Sequence, residues 1–378
     1  MPGGQTKGRV LLGLSGGVDS AVAAALLLER GYEVTGARMS VYDGEDDGSL
    51  TSGCYGRRAD DDAASAAALA RRLGIDFRVI DCAAAWRREV LDYFRAEYLA
   101  GRTPNPCVRC NEMVKFGALW RGAERVGLDF DYFATGHYAR IENAAEHGGP
   151  VLRRGADAGK DQSYFLYRLS RQTLGRLIFP LGDLTKPETR RLAEKMGLPV
   201  HDRPDSQDFY GGDYIDLIGA PDRQGSIIDA SGRVLGRHRG FWRYTPGQRK
   251  GLGVSAPTPL YVLRVNAERN EVVVGPAGQN SFSGCIIDDC RFTLPEPEPG
   301  GRYLARMRSS QPLKEVTVVK KESGRFWVDF ADPMGGLAPG QSLVLYQGDL
   351  VVGGGIIQGP NGAILRRHSV EVQMPKPG

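Results

Sequence analysis

Residues 9–14 (Arg-Val-Leu-Leu-Gly-Leu) form an almost unbroken apolar run, the pattern of a strand buried on both faces. An alanine- and leucine-rich stretch, 19–30, follows with helical spacing and stops before Gly31, which predicts a helix. Residues 32–42 read as a second strand, 43–58 as a polar, Gly-rich loop and 59–73 as a helix. A strand at 76–82, a helix over 86–100 and a strand end at 129–136 continue the pattern. Strands alternating with helices predict an α/β domain with a parallel sheet covered on both faces.

The pattern changes after about residue 205. Gly and Pro become more frequent, helical periodicity fades, and short alternating runs appear at 225–236, 261–275, 325–330 and 341–358. This is all-β material, one barrel or two. The stretch Leu-Pro-Glu-Pro-Glu-Pro-Gly (294–300) reads as part of, or close to, a linker into the last of them. The expected boundaries are 1–205, a small mostly-β central domain at 206–275, and a C-terminal β-barrel at 276–378.

A length of 378 residues agrees with two or three domains. The formal net charge of +4, with acidic and basic residues interleaved, permits a nucleic-acid partner without demanding one. No run approaches the roughly 20 apolar residues that span a bilayer, and the first residues lack a signal-peptide pattern. Six scattered cysteines (54, 82, 107, 110, 285, 290) are too sparse for a disulfide framework, so a reducing cytoplasm is expected, with no membrane partner.

Between the first strand and helix lies Ser15-Gly16-Gly17-Val18-Asp19-Ser20. A strand, a Gly-rich turn and a helix start aim free N–H groups and the helix dipole at an anion. The glycines allow close approach, the serines supply hydroxyls, and Asp19 suits Mg²⁺ or a helix cap. There is no Walker-type Lys. The full string resembles the pyrophosphate (PP) loop of the N-type ATP pyrophosphatases, Rossmann-like enzymes that transfer AMP to an oxygen and release pyrophosphate.

The string 101–111 (Gly-Arg-Thr-Pro-Asn-Pro-Cys-Val-Arg-Cys-Asn) is similar to the signature of the tRNA-specific 2-thiouridylases. Strings at 134–140, 160–167, 179–200, 246–253, 338–346 and 353–357 match the same family in order, over nearly the whole chain. The resemblance implies that AMP is attached to O2 of the wobble uridine, after which sulfur attacks C2 and AMP departs. It implies ATP binding by Gly13, Leu14, Ser15, Gly16, Gly17, Val18, Asp19, Ser20, the Met39 backbone and Gly136. Asn105, Pro106 and Cys107 fall in the target-base loop. His137, Lys160, Asp161, Gln162, Arg308 and Gln341 fall at tRNA-contact positions, although Ser309 replaces an expected aromatic residue after Arg308. Cys110 matches the sulfur-transfer cysteine. The partners implied are tRNA and a sulfur donor, either a persulfide carrier protein or sulfide.

The chain departs from the family at two places. Tyr210 stands where the second cysteine is expected, and Cys107 replaces an aspartate. Two readings stay open. In one, Cys107 and Cys110 act as a persulfide relay, one carrying sulfur and the other resolving it. In the other, Cys54, Cys107 and Cys110 hold a [4Fe-4S] cluster that binds hydrosulfide. A structural zinc site lacks a fourth ligand. Cys82, Cys285 and Cys290 read as packing or surface residues. The rival functions are another adenylating PP-loop synthetase and a tRNA-binding homologue that has lost catalysis.

Overall fold

A computed structural model describes residues 6–41, 59–198, 210 and 212–361. The chain begins with β1 (Arg9–Gly13), α1 (Val18–Glu29), β2 (Glu33–Ser40), α2 (Ala59–Leu73) and β3 (Asp76–Asp81). Two helical rods follow. The first runs α3 (Ala83–Trp86), a π-helical stretch over Arg87–Leu91, and α4 (Asp92–Leu99). The second runs α5 (Pro106–Cys110), π-helical Asn111–Ala118, and α6 (Leu119–Arg125). Next come β4 (Tyr132–Ala134), β5 (Ala139–Ala144), β6 (Gly149–Arg154), α7 (Arg171–Leu174), β7 (Leu177–Ile178) and α8 (Lys186–Lys195).

Strands β3-β2-β1-β4-β7 form one sheet whose neighbours are all parallel, as the α/β reading requires. Alternation along β1 explains why both faces are covered. Val10 and Leu12 pack with Ala21, Val22 and Leu69 from α1 and α2. Leu11 points the other way, among Trp86, Phe94 and Leu119 of the two rods. The second rod contains the Cys107–Cys110 pair, and its helical nature is absent from the hydrophobic pattern of 101–111.

The remainder is mostly β. α9 (Tyr214–Ile218) leads into β8 (Gly225–Asp229), β9 (Val234–His238), β10 (Leu260–Asn266) and β11 (Glu271–Pro276). These strands form a sheet in the order β10-β11-β8-β9. The last part comprises β12 (Ser281–Phe292), β13 (Arg302–Arg306), β14 (Lys314–Glu322), β15 (Arg325–Gly335), β16 (Ser342–Gln347) and β17 (Leu350–Pro360). Their order is β12-β15-β14-β13-β16-β17, and a β12–β17 pairing closes the barrel.

Residues 294–300 join β12 to β13 inside that barrel instead of leading into it. The β5–β6 hairpin, from the first part of the chain, extends the barrel sheet through the pair Leu350–Arg153. Periodicity in 139–154 is weak because the hairpin is covered by the barrel, a partner more than a hundred residues away. Among the described residues no helix is long and apolar enough to cross a membrane.

Candidate functional site

The loop at 14–17 leaves the carboxyl end of β1 where the strand order reverses, with β2 on one side and β4 on the other. Open α/β sheets bind ligands at such a switch point. Met39, near the end of β2, and Gly136, just past β4, are brought to the same edge. Gly16 takes φ +82°, in the left-handed region. Ser20 Oγ ties the turn together: it donates to the Gly17 carbonyl (3.1 Å) and accepts from the Ser15 N–H (3.2 Å). Arg38 donates to the Ser15 carbonyl (2.9 Å). Gly17 caps α1 without a side-chain hydrogen bond, so the first N–H groups of this twelve-residue helix face outward for an anion.

Lys186 is the residue that sequence reasoning did not single out. Its Nζ lies 2.7 and 2.8 Å from the two Asp19 oxygens, and the Tyr138 hydroxyl donates to Asp19 Oδ1 (2.8 Å). Lys186 is buried and opens α8 as the first residue after Thr185, the N-cap of a Thr185–Glu188 capping box. A cation therefore stands at the loop after all, supplied from 167 residues away. The Thr-x-x-Glu spacing at 185–188 was the available signal for the helix start.

His137 is buried, against Phe116 and Phe179, with Nδ1 2.6 Å from Thr135 Oγ1. Burial, with the nearby charge of Lys115, holds its pKa well below the usual imidazole value, so the ring is neutral.

Asn105 caps α5, its side-chain oxygen accepting from the Val108 N–H (3.2 Å), and Pro106 occupies the first turn. Cys107 and Cys110, one turn apart and half-buried, pack against the apolar cluster that contains Tyr210. Tyr210 is itself buried, with its ring 6.4 Å from that of Tyr214. The other face of α5, Asn105, Val108 and Arg109, lines a cavity of about 310 Å³ that reaches Arg168, Asp289 and Gln358. Burial pushes the Cys82 thiol up to about 11 and Cys290 to about 12, and raises Cys285 further still. Cys54 and residues 205–209 lie outside the described residues. Among the described residues no three His, Cys, Asp or Glu side chains gather as a metal site.

Three predicted tRNA-contact residues sit where parts of the chain meet. The Asp161 carboxylate is fully buried and bonds Arg306 Nη2 of β13 (2.6 Å) and Arg154 Nε (3.2 Å). It also accepts from the Gly155 and Ser163 N–H groups (3.0 and 3.1 Å). Arg308 donates to the Pro246 carbonyl in the loop before β10 (3.0 Å). Gln341 donates to the Thr103 and Pro104 carbonyls (3.0 and 2.8 Å). Lys160 is half-buried in the turn before Asp161, and Gln162 accepts from the Tyr138 N–H (2.9 Å).

The family described as tRNA methyl transferase HUP domain matches residues 8–210. Descriptions of a tRNA methyl transferase PRC-barrel domain and an aminomethyltransferase beta-barrel domain match 213–276 and 282–357. The tRNA-specific 2-thiouridylase MnmA of Endomicrobium trichonymphae is 43% identical over 361 residues, covering 93% of this chain and 99% of that protein. Its counterpart from Moorella thermoacetica is 44% identical over 358 residues, covering 92% and 99%. A solved 4-thiouridine synthetase in complex with RNA and ATP overlaps 53% of this chain and 44% of its own, at 18% identity and a TM-score of 0.32. With likeness of this extent along the whole sequence, the chain belongs to the tRNA-specific 2-thiouridylase family.

Proposed function

We propose that this protein catalyses ATP-dependent 2-thiolation of the wobble uridine of tRNA. The observation that carries the reading is a PP loop at the switch point of a parallel sheet, in a chain 43% identical to a 2-thiouridylase over nearly its full length. The methyl-transfer wording of the matching family descriptions names a different chemistry. A loop shaped for pyrophosphate has its use in ATP cleavage.

In this reading ATP enters as its Mg²⁺ complex and lies across the ends of β1, β2 and β4. Gly13 to Ser20, the Met39 backbone and Gly136 hold it. N–H groups at the start of α1 and the Lys186 ammonium stabilise charge on the departing pyrophosphate. The uridine O2 attacks the α-phosphorus, the bond to pyrophosphate breaks, and O2 becomes a good leaving group. Asn105, Pro106 and Cys107 face the base.

The sulfur step uses Cys107 and Cys110. As a relay, one thiol carries a persulfide whose outer sulfur attacks C2. AMP leaves with O2, the second thiolate attacks the inner sulfur, and the thiocarbonyl is released with a Cys107–Cys110 disulfide. An external dithiol then reduces that disulfide, and a carrier protein's persulfide hands its outer sulfur to one of the freed thiolates; with sulfide as donor, hydrosulfide instead attacks the disulfide itself, leaving one cysteine as the persulfide and the other as a thiolate. Tyr210, buried in the same cluster, takes no part in the exchange.

A second reading adds Cys54. Cys107 and Cys110 suit an iron–sulfur site in kind, being two half-buried thiols one turn apart in apolar surroundings. A [4Fe-4S] cluster held by the three would supply an iron site for hydrosulfide.

tRNA from cells lacking the protein should be short of 2-thiouridine, and an unchanged level overturns the assignment. Iron and sulfide analysis of anaerobically prepared protein, paired with Cys54→Ala, separates the two sulfur readings. Iron-free, active protein that tolerates Cys54→Ala supports the relay; about four irons per chain, with activity lost in the variant, supports the cluster.

A further inference from the structure

We infer that the C-terminal barrel is a working part of the sulfur-transfer site, and that Gln341 is a positioning residue for the cysteine helix. The inference rests on the reading above, in which Cys107 and Cys110 move sulfur. Both ends of the segment that contains them are tied to the barrel.

At the leading end, the Gln341 side-chain amide donates both hydrogens, one to the Thr103 carbonyl (3.0 Å) and one to the Pro104 carbonyl (2.8 Å). The Thr103 N–H in turn donates to the Pro339 carbonyl (2.7 Å). Gly340, at φ +93°, lies so close that a Cβ there would come within 3.0 Å of the Thr103 backbone. Consecutive carbonyls held by one planar NH₂ group have a fixed mutual orientation. That orientation sets the direction in which the chain enters Asn105, the cap of α5.

At the trailing end, Glu112 lies two residues past Cys110 and bonds Arg168 Nε (2.6 Å). The buried Arg168 reaches β12 of the barrel, donating to the Asp289 carbonyl (2.9 Å) and pairing with its carboxylate (3.0 Å). Thr103 and Glu112 are thus both anchored to the barrel, and only eight residues, including both thiols, lie between them. An amide with no hydrogens to give would leave two carbonyls at a buried seam unpaired, and the helix start would drift. A 1 Å error at reacting atoms is worth about 100-fold in rate.

The test is Gln341→Glu, which keeps the shape and removes the donors. Gln341→Met, of similar reach and without charge, serves should the first variant not fold by thermal melt. Two readouts are taken. Single-turnover thiolation at saturating tRNA and ATP should fall by about 100-fold, with the tRNA Kd within about threefold of wild type. Iodoacetamide labelling rates of Cys107 and Cys110 should change, while buried Cys82 and Cys285 stay protected as a check on the fold. A variant that loses tRNA affinity yet reaches the wild-type rate at saturation makes Gln341 an RNA contact and overturns the inference. Unchanged labelling and rate overturn it too. Should the wild-type protein form no thiouridine, the proposed function fails, and the labelling arm still judges the clamp.

Discussion

Asp19 shows how little a motif says about its own electrostatics. Its carboxylate is held by Lys186 and Tyr138, so the loop and a distant helix start act together. Lys186→Met removes the cation and leaves Asp19 uncompensated. It should lower tRNA-dependent AMP formation by about 100-fold with little change in tRNA binding, measured by AMP release and filter binding. Cys82, at about 11, and Cys290, at about 12, owe their raised pKa first to burial. A raised value keeps the thiol protonated until the pH climbs through it, so both are almost wholly neutral at neutral pH. Alkylation at pH 8 should therefore leave Cys82, Cys285 and Cys290 largely unmarked, and Cys82 should begin to react as the pH nears 11. Peptide mass spectrometry checks both statements. Sequence reading set Cys82, Cys285 and Cys290 apart by motif alone; loss of hydration supplies the physical reason for their raised values.

The strand–turn–helix unit at 9–30 was legible as an element because it is local: an apolar run, two glycines and a helical stripe. Its fit against β4 was not. A Cβ on Gly136 would lie 2.9 to 3.0 Å from the backbone at Asp19 and Ser20, closer than such atoms approach. Gly136→Ala should push the loop away and raise the KM for ATP by about tenfold while leaving tRNA affinity intact, as steady-state kinetics would show. The cysteine rod, 106–125, was legible only as a motif. Its helix starts on an Asn105 cap and a Pro in the first turn, and continues through π turns over Asn111–Ala118, a form frequent at functional sites. A C-x-x-C spacing predicts proximity of the two sulfurs; the face they occupy depends on what packs against the helix.

Over the whole molecule, buried charge joins the parts. Asp161 and Arg306 are both almost wholly buried and 2.6 Å apart across the contact between the first domain and the barrel. Asp161→Asn leaves Arg306 buried without its counter-charge and should cost roughly 3–5 kcal/mol, read by urea unfolding, with Asp161→Asn/Arg306→Met recovering part of the loss. The side chains Asp161, Arg308 and Gln341 were expected to meet tRNA, and each bonds another part of the chain. Their neighbours in sequence say nothing of this, because the partners lie far along the chain or in another sheet. The sequence by itself determined the α/β class, the PP loop, the C-x-x-C pair, the all-β remainder and, through global likeness, the reaction. These depend on local periodicity and on strings a few residues long. Only the tertiary structure decided that Lys186 stands at the PP loop, that β5 and β6 extend the barrel sheet, and that Gln341 grips the segment before the cysteines. Each of those depends on contacts between residues distant in the chain, which no local pattern encodes and which packing alone brings together.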